Sequence, residues 1–518
     1  MSANGTGVDM KDVELTEVEQ EKEREAEKEV EQEQEVELTE VEQEKEPMTG
    51  GGGGGGEAAN GDAAAAASSP LTEKNGSVNV KIPDEETGAK FTGLSKEELL
   101  RVAGTPGWVR TRCALLALFW LGWLGMLCGA IGDVKAFSEN LTGLQQKVDP
   151  LSKLKLKALV VGPLHVAPAD DPEGLDFNKI SPDVGNLQQF RDLVKAVHKK
   201  HMYFILDLTP NYNGNQPWFS NSTVTTVAEQ LKSALMFWLK EGVDGVQLAG
   251  VERVASLEPS LWADIRAIVQ NRSDDVASKK VLVGVTDRGS GPEVSALLNS
   301  SGVNLLLSDL LRSTTANVTE RAQSVQLLYS AHNQSQLAWN LGGRSQGHLG
   351  SLVGSAGVKV HQLLLFTLPG TPVFNYGDEI GLLDQVHTHT HTLVPQSPTS
   401  LPQEEREERA SCLHVFKALA ELRQREPALL YGDFLLLHAN SSSSSLAYGR
   451  AWDQNDRYVA AFNWADEGVS MDLSHPLLGP EGVLVLGTSS GAPGTTISLA
   501  TVEVGPGHAL LIKVPYRS

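Results

Sequence analysis

The chain has 518 residues, 41% of them hydrophobic and 21% charged, with 43 Lys+Arg against 65 Asp+Glu. A net charge of −22 excludes nucleic acid as the main partner, because a phosphate backbone needs a basic surface. Three cysteines exclude a disulfide scaffold and a Cys-rich zinc module. The acidity is uneven: residues 1–46 hold 18 acidic and 5 basic residues, and the rest of the chain carries a net charge of only −9.

Residues 1–93 read as a disordered acidic tail. VELTEVEQEKE at Val13–Glu23 recurs unchanged at Val36–Glu46, and Gly50–Gly56 is unbroken glycine. Such a segment cannot bury enough apolar area to offset its chain entropy. Two copies are also too few for a solenoid. Residues 94–112 are expected to form a juxtamembrane helix, with Ser95 as N-cap and Glu98 three residues on in a capping-box pattern.

Cys113–Ile131 (CALLALFWLGWLGMLCGAI) has no charge across its nineteen residues. As a helix it reaches about 28 Å, close to the ~30 Å hydrocarbon thickness. It is expected to be one transmembrane signal anchor, with Gly122, Gly125 and Gly129 offering a small-residue face to a partner helix. Arg101, Arg110 and Arg112 precede it, so the N-terminus is expected in the cytosol and the remainder outside the plasma membrane. Seven N-x-S/T sites, at Asn140, Asn221, Asn271, Asn299, Asn317, Asn333 and Asn440, are candidate glycosylation positions of that ectodomain.

Short apolar runs then alternate with amphipathic stretches. Leu156–Gly162, Tyr203–Leu208, Gly245–Leu248 and Val281–Val285 read as buried strands. Leu187–Lys200, Val224–Glu241 and Leu261–Asn271 read as helices, and Leu305–Ser308, Val358–Leu368 and Pro372–Tyr376 continue the series. Alternating buried strands and helices imply a parallel sheet, here a (β/α)8 barrel over residues 132–430. From 431 to 518 the pattern becomes all-β, with runs at Phe434–His438, Ser445–Trp452, Arg457–Phe462, Gly482–Leu486 and His508–Val514. It implies an antiparallel β-sandwich.

Four stretches resemble the α-amylase family of glycoside hydrolases: DLTPNY at Asp207–Tyr212, GVDGVQL at Gly242–Leu248, LPGTPVFNYGDEIGL at Leu368–Leu382 and LRQREPALLYGDF at Leu422–Phe434. Retaining members need two carboxylates about 5 Å apart at strand C-terminal ends. The resemblance places Gln247 where that family has an arginine and Ala249 where it has the nucleophile. It places Val285 at the acid/base glutamate and Ser345 in the region of an Asn-His-Asp triplet. Tyr212 stands where the strand-three motif usually ends in histidine. Neither a methyl nor an isopropyl group can attack an anomeric carbon, so no enzymatic activity, cofactor or metal is expected. Asp207, Asn211, Asp378 and Glu379 remain, and they are read mainly as structural carboxylates and amides. His387, His389 and His391 alternate in VHTHTHTL and are read as a solvated loop.

An acidic tail, one span and such a barrel together resemble the heavy subunits of heteromeric amino-acid transporters, in particular their 4F2 branch, which lacks a large inserted barrel domain. The resemblance implies a chaperone whose partner is a multi-span light chain, since one span cannot form an alternating-access pathway. It also implies association with integrins. The rival readings are a membrane-anchored α-glucosidase and an adhesion scaffold. Members of that family carry a neck with a cysteine for the intersubunit disulfide, followed by the first barrel strand. Here Ile131 runs straight into GDVKAF. The expectation is therefore a barrel whose first strand is in question, and no intersubunit disulfide; Cys128 is the nearest candidate.

Overall fold

The computed structural model describes residues 127–270, 280–312, 316–384, 402–489 and 492–516. Eight parallel strands close a barrel. They are β1 (Cys128–Ile131), β2 (Ala158–Val161), then, after a small hairpin of β3 (His165–Val166) and β4 (Asp176–Ile180), β5 (Tyr203–Asp207), β6 (Gly245–Ala249), β7 (Val281–Val285), β8 (Leu305–Leu307), β9 (Leu337–Trp339) and β10 (Thr371–Asn375). The order around the barrel is β1-β10-β9-β8-β7-β6-β5-β2.

These strands are apolar runs without alternation because both of their faces are covered. Inward-facing Cys128, Ala158, Val160, Ile205, Val281, Val283, Leu305, Leu307, Ala338 and Val373 fill the interior, in the layered manner of closed parallel barrels. Outward residues such as Leu159, Phe204, Leu206, Leu282 and Leu306 pack under the helices. The helix Leu187–Lys199 shows how the sequence achieves this. Phe190, Leu193, Val194 and Val197 are buried, and Asn186 and Gln189 form a reciprocal capping box at its start.

Two expectations are corrected by β1. The barrel does not lack its first strand: Cys128–Ile131 pairs in register with Ala158–Val161 on one side and, through Cys128–Ala130, with Val373–Asn375 on the other. The last four residues assigned to the membrane run therefore belong to the barrel, and the ladder opens with the Lys157 amide donating to the Leu127 carbonyl at 3.0 Å. Bilayer and barrel interior select the same composition, so CGAI is read equally well either way. The span's earlier residues, Gly122 and Gly125 among them, lie outside the described residues. So do the acidic tail, the juxtamembrane segment and His387, His389 and His391. Among the described residues no helix is long and apolar enough to cross a membrane.

The C-terminal part contains β11 (Asp433–Asn440), β12 (Ser445–Ala451), β13 (Arg457–Asn463), β14 (Val469–Met471), β15 (Glu481–Gly487), β16 (Thr496–Ser498), β17 (Val502–Val504) and β18 (Ala509–Val514). Six form an antiparallel sheet ordered β11-β12-β13-β18-β15-β16, and β14 pairs with β17. Alternation sorts the sheet's two faces. Ala447, Val459, Ala461 and Ile512 pack with Met471, Val502 and Val504 of the small pair. Their neighbours Leu446, Tyr448, Tyr458, Phe462 and Leu511 join the core shared with the barrel.

Two buried arginines meet at the end of the helix Val358–Thr367, and the one on β12 ties the sheet to the barrel. Arg423, on the long helix Gln403–Arg425, donates to the carbonyls of Phe366, Leu368 and Gly370. Arg450 on β12 donates to the carbonyls of Thr367 and Gly432 at 2.8 and 2.9 Å. Each satisfies backbone groups at the end of the helix Val358–Thr367 that no helical turn could serve.

Candidate functional site at the barrel mouth

The C-terminal ends of the strands surround a cavity of about 520 Å³. Asp207, at the end of β5, is its single carboxylate among the described lining residues. It is buried, and burial raises its pKa. Its two oxygens accept from the Thr209 amide at 2.8 Å and from Gln247 Nε2 at 2.7 Å. The Gln247 amide thus serves the neighbouring carboxylate.

Ala249 and Val285 end β6 and β7 and are register partners, and both line the cavity. The Ala249 backbone is fully engaged: its amide donates to Thr209 Oγ1 at 3.0 Å and its carbonyl accepts from the Trp218 indole at 2.8 Å. Gly250 follows with φ +65°, and a Cβ there would lie 3.1 Å from Pro217, so the chain turns away under a tight lid of Pro217 and Trp218.

Asn340 directly follows β9 and lines the cavity. Ser345 lies in the turn bridged by Gly343 and Gly347 and also lines the cavity. A Cβ on Gly342 would lie 2.6 Å from Asp378 Oδ2, so the Asp378 carboxylate itself packs where a side chain would begin.

Asp378 and Glu379 do structural work. Asp378 accepts from the Leu349 amide at 2.8 Å, capping the helix Leu349–Val353, and from the Asn375 amide at 3.0 Å. Glu379 accepts from the Gly377 amide at 2.8 Å, and burial pushes its carboxyl up to about 7. Asn211 is likewise saturated: Nδ2 donates to Asp170 Oδ1 and the Gln216 carbonyl, each at 2.8 Å, and Oδ1 accepts from the Asp170 amide at 3.0 Å.

Arg344 was not singled out from sequence. It reaches from the β9 loop across the mouth, stacking its guanidinium 4.5 Å from the centre of the Tyr212 ring. It donates to Asn213 Oδ1 at 2.6 Å and to the Gly132 carbonyl at 3.4 Å. Tyr212 in turn donates to the His165 carbonyl at 2.9 Å. His165 lies fully buried beneath, and desolvation lowers its pKa to about 4, so it is neutral. Loops after β9, β5 and β1 are thereby clasped by one cation. No local motif announces such a residue, whose partners are remote in sequence.

The candidate glycosylation positions are scattered over the barrel exterior and the sheet. Asn221, Asn299, Asn317, Asn333 and Asn440 are exposed and Asn140 is partly so, while Asn271 lies outside the described residues. Asn140 and Asn317 also cap helices with their side-chain oxygens. Cys128 faces the barrel interior, and Gly129 packs so closely that a Cβ would lie 2.7 Å from Leu156 Cδ1.

A family model described as Solute carrier family 3 member 2 N-terminus matches residues 79–136, and one described as alpha amylase, catalytic domain, matches residues 132–226. The amino acid transporter heavy chain SLC3A2 of Rattus norvegicus is 37% identical over 503 residues, covering 86% of this chain and 93% of the relative. The chain belongs to the SLC3A2 amino acid transporter heavy chain family. Rat SLC3A1, the other heavy chain, is 23% identical over 85% of this chain and 89% of its own length. A cyclomaltodextrinase from a Bacillus species is 24% identical over 63% of this chain and 66% of its own length. Among solved structures, the trehalulose synthase MutB from Pseudomonas mesoacidophila superposes with a TM-score of 0.59 at 14% identity, covering 76% of this chain and 99% of that one. The Nostoc punctiforme debranching enzyme gives 0.57 at 17%, covering 76% and 98%. These likenesses to solved structures show the fold alone.

Proposed function

We propose that this chain is the heavy subunit of a heteromeric amino-acid transporter: a type II membrane glycoprotein that escorts a multi-span light chain to the plasma membrane and hydrolyses no glycoside. The observation that carries the reading is family membership along 86% of the chain. The residues at the mouth support its second half, because Asp207 is the one carboxylate among the described cavity residues, and Ala249 and Val285, which the resemblance assigns to the places of the catalytic pair, line the same cavity. Retaining hydrolysis needs two carboxylates, one as nucleophile and one as acid/base. In this reading residues 1–93 are the cytosolic tail, 94–112 a juxtamembrane helix and the barrel and C-terminal sheet the ectodomain. The uncharged run left to the bilayer, once β1 and its first rung at Leu127 are assigned to the barrel, is Cys113–Met126. Its fourteen residues would reach about 21 Å as a helix, so the bilayer thins around it.

Affinity purification of the full chain from membranes without reductant tests the proposal. A multi-span amino-acid transporter is expected in the eluate. Its absence, or heat-labile turnover of maltose by the purified chain, overturns the reading.

A further inference from the structure

Beside the mouth, and sharing Asn215 and Pro217 with it, lies an open groove of about 970 Å³. Its walls are the segment Asn215–Trp218, the helix Val251–Leu257 and the helix Gly291–Ser301. Three carboxylates, Glu252, Asp287 and Glu293, stand there with two guanidiniums, Arg253 and Arg288. Arg288 and Glu293 pair at 3.2 Å, both half exposed. Leu257, 43% exposed, adds apolar surface together with Ala255 and Ala296. Charge this nearly balanced gives neither a cation nor an anion a clear advantage. Donors and acceptors set among small apolar patches suit a neutral polyhydroxylated ligand, whose hydroxyls both give and take hydrogen bonds and whose ring C–H faces are apolar.

The chain carries an attachment point for such a ligand on the groove itself. Asn221 is one of the lining residues, and it opens the sequon Asn221-Ser222-Thr223. Among the described residues no other sequon asparagine lines the groove. Arg253 Nη2 donates to Asn221 Oδ1 at 2.6 Å. That bond holds the amide against the helix Val251–Leu257 and uses only its oxygen, which leaves Nδ2, the atom that takes an N-linked sugar, outside the contact.

We propose that the groove is the seat of the chain's own glycan: an N-linked oligosaccharide on Asn221 lies along it, its hydroxyls bonded to Asp287, Arg288 and Glu293 and its apolar faces against Leu257 and Ala296. In the attachment step the bond from Asn221 Nδ2 to C1 of N-acetylglucosamine forms as the C1–O bond to a lipid diphosphate breaks; Nδ2 gives up a proton, and the diphosphate leaves with the bonding pair. Weak contacts suffice for the seat, because a tethered ligand meets its site at an effective concentration on the order of millimolar. The proposal rests on the ectodomain reading, which puts Asn221 on the side of the membrane where sugar is added.

The test uses the full chain, produced in mammalian cells, solubilised in detergent and digested in its folded state with peptide N-glycosidase, with release followed site by site by mass spectrometry. The Asn221 glycan should come off about tenfold more slowly than those at the other occupied sites, since it must first leave its seat. Ala296→Trp, which fills the groove from an exposed position on its wall, should raise release at Asn221 to the rate of the other sites; should that variant fail to fold, Leu257→Asp takes its place. An unmodified Asn221 on a chain glycosylated elsewhere, release at the common rate, or slow release that persists in the groove variant overturns the seat and leaves the ectodomain reading standing. A chain without glycan at any sequon overturns both.

Discussion

Glu379 is held in its protonated form further up the pH scale than a solvated glutamate, because burial penalises its charge. Its folded pKa of about 7 lies above the unfolded value, so the folded chain binds the extra proton. Its contribution to stability is present below about pH 4.5 and is lost as the pH rises through 7. Glu379→Gln removes that dependence while keeping an acceptor for the Gly377 amide. Melting temperatures measured from pH 5 to 8 should show the variant gaining on the parent as pH rises; parallel profiles would refute the assignment. Arg344 makes a different kind of contribution. Replacing it with alanine removes a cation–π contact and two hydrogen bonds, at a cost of about 1 kcal/mol. Hydrogen exchange should accelerate at Tyr212–Asn213 and Gly132 together, since one side chain holds both loops. Acceleration at only one of them would show that the clasp is not shared.

Among the elements, β5, β6 and β7 are legible in the sequence because strands covered on both faces are apolar runs bounded by polar turns, and YFILD and VLVGV advertise that directly. β8 is equally short but shows as the aliphatic run Leu305–Leu307, whereas β9, Leu-Ala-Trp, offers no comparable run and is not legible. β1 was concealed for another reason: lipid and barrel interior both accept Cys-Gly-Ala-Ile, so composition cannot assign it. Close packing can. A Cβ on Gly129 would meet Leu156 at 2.7 Å, so Gly129→Val should destabilise the folded chain by about 1–3 kcal/mol through overpacking. The same change on a lipid-facing helix would leave the barrel's denaturation midpoint unmoved. At the mouth, the sequence located Gln247, Ala249 and Val285 because they sit on regular strands. Gly342 and Arg344 sit in an irregular loop, and their partners, Asp378 and Tyr212–Asn213, are set by tertiary contact alone.

For the molecule as a whole, the placement of Cys128 inside the barrel bears on how the proposed subunits are joined. A thiol packed beside Ala158 and Val373 cannot reach a second chain without opening the strand. Under the proposed heavy-subunit reading, neither Cys128 nor the equally buried Cys412 joins the subunits. Cys128→Ser should leave light-chain recovery without reductant unchanged; loss of a reductant-sensitive band at the summed mass in that variant would contradict this.

β1 is the last stretch of the uncharged run, and the Lys157–Leu127 hydrogen bond is its first rung. Under the proposed heavy-subunit reading, traction on the anchor is delivered to a strand held on both sides, by Ala158–Val161 and by Val373–Asn375. Under load, β1 is the first stave pulled from the cask.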